Sequence, residues 1–328
     1  METIVSCLVF GAVWDRATQG QLGAAERVAK HLQLPHVIVA AGVADELLAK
    51  SALHADRVVA VEHAQLREGY QPQNCIAALT EACRPLGPQI VLLGQDSYSQ
   101  EIAPRLAMRL GGAVIGDVQN IDCLDGRIQA TRSVYGGKAT AVIKSNVTPV
   151  VLRLRARAFA AQPPREQAAA IERFEVDLTE QMSSTASASQ LLSRELADVG
   201  DVRLEDAQFI VSGGRGLGGP EPFQELRELA KVMHAELAAS RAACDAGWVP
   251  PGLQVGQTGK KVAPQLYLAI ALSGASQHLM GISDAKTVAA INTDPDAPIF
   301  RHCKFGLVAD YRNVVGPLRE LIEKKLSQ

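Results

Sequence analysis

The sequence predicts a two-domain α/β protein, each domain built on a mainly parallel sheet with crossover helices. Three observations carry this reading. Short β-branched runs alternate with longer helical stretches from residue 4 onwards. The alternation breaks in a polar tract at 181–190 and restarts at Gln208. The chain has 328 residues, enough for two cores of ordinary size, and its 47% hydrophobic and 21% charged content carries no fibrous or disordered signature.

In the first half, residues 4–10, 36–40 and 57–61 read as strands, with helices at 21–33 and 44–53 between them. A helix over 72–84, an uninterrupted apolar strand at 90–93 and a helix over 100–110 continue the parallel pattern. After Gly111-Gly112 the signals change. Asp125-Gly126 and Gly136-Gly137 separate strands at 118–124, 127–135 and 138–144, which predicts an antiparallel extension. A strand at 150–154, an Ala/Gln/Pro stretch over 155–170 and a strand at 171–178 lead to the polar tract. The boundary is expected between Ala188 and Glu205, giving domains 1–196 and 205–328.

The second half opens with a strand at 208–211, a glycine-rich turn from Ser212 to Gly219, and a helix over 220–234. Phe223, Leu226, Leu229, Ala230 and Met233 form its apolar stripe. Strands at 266–272, 287–291 and 306–308 and a closing helix over 314–326 complete a second parallel sheet.

Charge and composition remove several classes of function. The 33 basic and 35 acidic residues interleave, leaving no footprint for a nucleic-acid partner. No apolar run approaches the roughly 18 residues of a membrane span, so the protein is not expected to insert into a membrane. Residues 1–14 lack a basic n-region or Arg-rich presequence, which predicts cytoplasm, or an organelle whose presequence has been removed. Cys7, Cys75, Cys83, Cys123, Cys244 and Cys303 are scattered without a C-x-x-C pair, so reduced thiols and no metal are expected.

The chemistry gathers where strands of the second domain end. Ser212 to Arg215, Ser273 to His278, Asn292 to Asp296, and Asp310 each follow a strand. Ligands of open parallel sheets bind beyond those carboxyl ends, where freed backbone N–H groups favour a phosphate. Gly214-Arg-Gly-Leu-Gly-Gly219 satisfies G-x-G-x-x-G and admits a nicotinamide dehydrogenase. That reading wants an acid at the end of the next strand, about 20 residues on, whereas Glu236 stands at the start of an apolar run. Residues 240–250 and 253–260, dense in small and polar side chains, read as a loop whose backbone approaches a flat ligand.

Six segments in order carry a specific likeness: Val211-Ser-Gly-Gly-Arg-Gly216, Ala239-Ser-Arg-Ala-Ala243, Asp245-Ala-Gly-Trp-Val-Pro250, Leu253-Gln-Val-Gly-Gln-Thr-Gly-Lys260, Leu272-Ser-Gly-Ala-Ser-Gln-His-Leu279 and Ala290-Ile-Asn-Thr-Asp-Pro-Asp-Ala-Pro-Ile-Phe300. Together they resemble the electron-transfer flavoprotein alpha subunit, strongly over 209–315 and only in size and βα pattern before that. The resemblance implies a doubly wound, Rossmann-like FAD-binding domain after a nucleotide-hydrolase-like domain that packs on a beta subunit. It implies an electron carrier that takes electrons from flavin dehydrogenases such as acyl-CoA dehydrogenases and delivers them to a quinone reductase, in a bacterial cytoplasm or a mitochondrial matrix. No catalytic residue is expected.

By the same resemblance Arg215 lies by the flavin, Ser240 and Arg241 contact the cofactor, and Val255, Gly256, Gln257 and Thr258 line the ring. Ser273, Gly274, Ala275, Ser276, Gln277 and His278 run from diphosphate to ring, and Asn292, Asp310 and Tyr311 hold the adenosine portion. Reducing a flavin places negative charge on its N1–C2=O edge, for which His278 and Arg241 are the candidate donors, while the Thr258 hydroxyl suits N5. A cation about 4 Å from that charge at a dielectric near 20 is worth on the order of 4 kcal/mol, or roughly 100 to 200 mV before solvent screening. Lys260 is expected to be an ordinary solvated lysine.

Three features depart from the family pattern. Ser276 stands where a branched apolar residue is common and could add a hydrogen bond; Gly218-Gly219-Pro220 replaces a more polar turn; and Arg301-His-Cys-Lys304 is unusual. Besides the nicotinamide dehydrogenase, two alternatives stay open: a flavin-bifurcating variant, which needs a second flavin in the beta subunit, and a structural subunit that has lost its flavin.

Overall fold

The computed structural model describes residues 2–124, 127–135, 139–155, 158–178 and 204–326. The turns at Asp125-Gly126 and Gly136-Gly137 and the tract 181–190 lie outside the described residues. The chain forms two compact units, Met1–Arg194 and Glu195–Gln328.

In the first unit seven parallel strands run in the order β10-β3-β2-β1-β4-β9-β5: β1 Thr3–Leu8, β2 His36–Ala41, β3 Arg57–Glu62, β4 Pro88–Leu93, β5 Ala113–Val118, β9 Val150–Leu154 and β10 Ile171–Glu175. β1 and β2 are buried at every position, as apolar runs covered on both faces should be. The crossover helices include α1 Arg16–Leu32, α2 Asp45–Ser51, α3 Ala64–Glu68, α4 Pro72–Cys83 and α5 Ser97–Arg109.

Helix α1 begins five residues before the predicted 21. Asp15 caps it, its carboxylate accepting the Thr18 N–H at 2.8 Å, and this signal outweighs the weak helix formers Thr18 and Gly20. Gly20 and Gly23 have a packing role. A Cβ on either would lie 2.6 or 2.4 Å from the carbonyl oxygens of Phe159 and Ala160, so residues 159–162 pass against α1 at the glycines.

The predicted strand at 118–124 is two elements. β5 pairs parallel with β9, whereas β6 Asn120–Leu124 joins β7 Arg127–Val134 and β8 Ala139–Lys144 in a separate antiparallel sheet. Asp117, left-handed at φ 59°, coincides with the break in β5 register. Gly111-Gly112 reads in sequence as the end of the parallel pattern. In the fold Gly112 lets β5 approach Pro149, whose carbonyl oxygen would sit 2.1 Å from an added Cβ.

Fully buried His36 links β2 to its neighbours, Nδ1 lying 2.8 Å from the His54 carbonyl and Nε2 2.9 Å from Ser6 Oγ. Burial pushes its pKa down from 6.5 to about 4. The unfolded chain therefore binds the proton more readily. Stability from this group is fully present above about pH 6.5 and falls as pH drops towards 4, by about 3 kcal/mol in all. Urea unfolding at pH 7 and 4.5 is expected to show a smaller acid loss for His36→Gln than for the wild type; equal losses would remove His36 from the pH dependence.

The second unit carries five parallel strands in the order β12-β11-β13-β14-β15: β11 Phe209–Gly213, β12 Glu236–Ala239, β13 Leu266–Ile270, β14 Val288–Asn292 and β15 Phe305–Val308. Among its described residues the α-helices are α6 Pro222–Val232, α7 Arg241–Asp245, α8 Ser276–Ile282 and α9 Val315–Leu326. The α6 stripe is buried as predicted, Phe223, Leu226, Leu229 and Ala230 packing with Val211 and Ile270 and with Met233 at the margin.

Candidate functional site

A cavity of about 840 Å³ opens at the carboxyl ends of β11, β12, β13 and β14. This lies within the range of about 300 to 1,000 Å³ common for cofactor sites. The backbone of two loops shapes much of it. The loop after β12 is tied down by Val255 N–H to the Ala239 carbonyl at 3.0 Å and by Gln257 N–H to the Gln277 carbonyl at 2.7 Å. Gly281 permits this, because a Cβ there would meet Gly256 N at 2.4 Å. The loop after β13 turns at Gly274, φ +79°, where Ile299 N–H donates to the Ser273 carbonyl at 3.0 Å.

The glycines after β11 serve internal packing. A Cβ on Gly213 would lie 2.6 Å from the Phe223 ring, and one on Gly214 would lie 2.1 Å from the Ala271 carbonyl oxygen. Glu236 is the first residue of β12, at the opposite end from the cavity, so the acid required by the nicotinamide reading is misplaced. Ala271 itself is left-handed at φ 53° and lines the cavity, although no glycine or asparagine marks it in the sequence.

Every predicted site residue except Ser276 lines this cavity: Arg215, Ser240, Arg241, Val255, Gly256, Gln257, Thr258, Ser273, Gly274, Ala275, Gln277, His278, Asn292, Asp310 and Tyr311. Ser276 begins α8 and is exposed, just outside the lining between Ala275 and Gln277. Gln254, Asp294 and Arg312 line the cavity without having been singled out as site residues; Gln254 and Asp294 lie within two of the named motifs, and Arg312 follows Tyr311.

The polar groups divide into committed and free. Arg241 Nε lies 3.1 Å from Asp245 Oδ2, and Arg312 Nη1 3.1 Å from Asp310 Oδ2. The Arg215 guanidinium makes no hydrogen bond or ion pair with any described residue. Tyr311 is buried and donates its hydroxyl to the Leu217 carbonyl at 3.0 Å, so its polar tip braces the β11 turn rather than facing a ligand. Thr258 Oγ1 accepts from Gln254 Nε2 at 3.0 Å, leaving its own hydrogen to donate. Ser240 Oγ is buried with no partner among the described residues. Lys260 pairs with Glu205 at 3.3 Å, so it is less solvated than expected.

His278 differs most from expectation. Nε2 lies 2.9 Å from Tyr267 Oη, and Nδ1 is buried without a hydrogen-bond partner among the described residues. Burial pushes its pKa down to about 4, an effect the Val255 carbonyl only partly offsets. The imidazole is neutral at physiological pH, with Nε2 turned to Tyr267 and Nδ1 left without a partner among the described residues. It therefore supplies no cation to the cavity, and the cationic candidates are Arg241 and Arg215.

Two family models match the chain: "Electron transfer flavoprotein domain" over residues 12–179, just over half of the chain, and "Electron transfer flavoprotein FAD-binding domain" over 203–283. The electron transfer flavoprotein subunit alpha of Thermoanaerobacterium thermosaccharolyticum is 38% identical over 279 residues, covering 82% of this chain and 81% of that protein. The chain belongs to the electron transfer flavoprotein alpha-subunit family. The Bacillus subtilis subunit alpha is 35% identical, covering 83% of each chain, and Protein FixB of Clostridium saccharobutylicum is 33% identical, covering 90% and 89%.

Membership makes FAD the cofactor, a beta subunit the partner, and the protein an electron carrier rather than an enzyme with its own substrate. The residues present fit that cofactor. The orphaned Ser240 hydroxyl and the unpaired Arg215 supply donors that no described residue satisfies, and the Gly256 and Gly274 loops bring backbone up to the cavity. No described helix is long and apolar enough to cross a membrane.

Proposed function

We propose that this cavity holds the FAD through Arg215, Ser240, Arg241, Val255, Gly256, Gln257, Thr258, Ser273, Gly274, Ala275, Gln277, His278, Asn292, Asp310 and Tyr311. Bound FAD supplies reversible electron uptake, and the chain's task is to hold and tune it. Ser240 Oγ and the Thr258 hydroxyl donate hydrogen bonds; Arg215 and Arg241 offset negative charge; the loop at Ser273 and Gly274 presents backbone N–H groups; Asn292 and Tyr311 brace the walls. The observation that carries this reading is a cofactor-sized cavity whose lining includes Ser240, with its buried Oγ unpartnered among the described residues, and Arg215, whose guanidinium makes no ion pair with them.

The domain at 1–196 packs on the beta subunit and the domain at 205–328 holds the flavin. Electrons come from flavin dehydrogenases, acyl-CoA dehydrogenases of fatty acid β-oxidation among them, and pass to a quinone reductase. The site of action is a bacterial cytoplasm or a mitochondrial matrix. The test is co-expression with the beta subunit, with the visible spectrum recorded and released cofactor identified by chromatography. About one FAD per heterodimer, bleached by an acyl-CoA dehydrogenase with its substrate, is the expected result; a stable, colourless complex that cannot be reconstituted would refute the reading. Bleaching only by a nicotinamide donor would replace the acyl-CoA branch with the bifurcating one.

A further inference from the structure

The first described turn of the second unit, Leu204–Asp206, lies against β12, the strand whose end opens onto the cavity. Leu204 and Ala207 are buried in one core cluster with Ala238 of β12 and with Val255 and Val262, which bracket residues 256–261. From this turn Glu205 reaches Lys260, its Oε2 lying 3.3 Å from the Lys260 Nζ. The two side chains are only 32% and 26% exposed, so water screens the pair incompletely. Glu205 Oε2 is buried and receives no hydrogen bond of good geometry from a described residue, which leaves the ammonium to offset its charge.

Lys260 is also where the cavity loop closes on itself. Its N–H donates to the Gln254 carbonyl at 2.8 Å, and its own carbonyl accepts the Gly256 N–H at 3.1 Å. The closure is tight at its neighbour, because a Cβ on Gly259 would lie 2.5 Å from the Gln254 carbonyl oxygen. Val255, Gly256, Gln257 and Thr258, all lining the cavity, stand between Gln254 and Lys260. A restraint on the Lys260 side chain therefore acts on the residue whose two backbone bonds shut the loop. Neutralising either partner leaves the other charged, half-buried and uncompensated, which favours its moving towards water.

We propose that Glu205 and Lys260 are positioning residues of the FAD site: their ion pair fastens the 254–260 loop to the turn at Leu204–Asp206. This rests on the cavity being the FAD site. Neither residue belongs to the cavity lining, so the pair acts on the cofactor through the loop.

The test compares Glu205→Gln, Lys260→Met, Lys260→Arg and the charge exchange Glu205→Lys with Lys260→Glu as FAD-loaded heterodimers, with Ser240→Ala as a reference change inside the cavity. FAD release is followed by the return of flavin fluorescence, visible circular dichroism of the bound flavin reports the surroundings of the ring, and thermal unfolding reports folding. Glu205→Gln and Lys260→Met are each expected to weaken FAD binding roughly twofold to fivefold, the size of one partly screened ion pair, and to alter the flavin dichroism. Lys260→Arg should keep both properties, and the charge exchange should recover part of what the single changes lose. A lower melting temperature with unchanged FAD release and dichroism, or a charge exchange no better than the single changes, would overturn the proposal. If Ser240→Ala weakens binding while Glu205→Gln and Lys260→Met are silent, the proposal alone falls; if Ser240→Ala is silent too, the assignment of the cavity to FAD falls with it.

Discussion

Gly274→Ala is expected to strip the heterodimer of most of its FAD and to lower its melting temperature. Gly274 sits at φ +79°, where an L side chain costs about 1 to 2 kcal/mol. The new methyl would also fall 2.4 Å from Ile299 N and 2.6 Å from Ile299 Cα, which are backbone atoms that cannot swing aside. Relief requires moving either the 273–277 loop or the turn at Pro298–Arg301, and with it the Ile299 N–H bond to the Ser273 carbonyl. The measurement is the flavin-to-protein ratio after gel filtration, alongside thermal unfolding. Full flavin content and an unchanged melting temperature would show that the loop has room the geometry denies.

Arg241→Ala is expected to lower the flavin's reduction potential, by less than a lone arginine would suggest. An isolated cation at about 4 Å is worth on the order of 4 kcal/mol at an effective dielectric of 20. Arg241, however, is tied to Asp245 at 3.1 Å and its side chain is 67% exposed, so a neighbouring anion and solvent both discount it. Halving the interaction leaves on the order of 2 kcal/mol, roughly 80 mV for a one-electron couple. Spectroelectrochemical titration of flavin-replete variant and wild type measures it. An unchanged potential would assign the charge-offsetting role to Arg215, which has no competing ion pair among the described residues.

The two variants probe features of unequal legibility. The glycine turn after β13 is marked in the sequence by Ser273-Gly-Ala beyond an apolar strand. The Arg241–Asp245 pair is an i, i+4 spacing on α7, readable once that helix is assigned. The parallel sheets were legible because buried strands flanked by crossover helices must be apolar along their length, as at 36–40 and 90–93. The split of 118–124 into β5 and β6 was not. It depends on Asp117 taking a left-handed backbone and on Pro149 approaching Gly112 from 37 residues away, and neither leaves a local periodic signal.

At the site, sequence alone determined which chain segments would meet: polar and glycine clusters that follow successive strands of one parallel sheet come together at its carboxyl edge, whatever the details of packing. Only the tertiary structure decided what each polar group is free to do there. His278 is neutral with Nε2 turned to Tyr267, Tyr311 spends its hydroxyl on Leu217 from 94 residues away, and Ser240 and Arg215 are left without partners among the described residues. The physical reason is that periodicity reports which face of an element is buried, whereas the charge and hydrogen-bonding capacity of a side chain depend on the partners that distant segments bring to it.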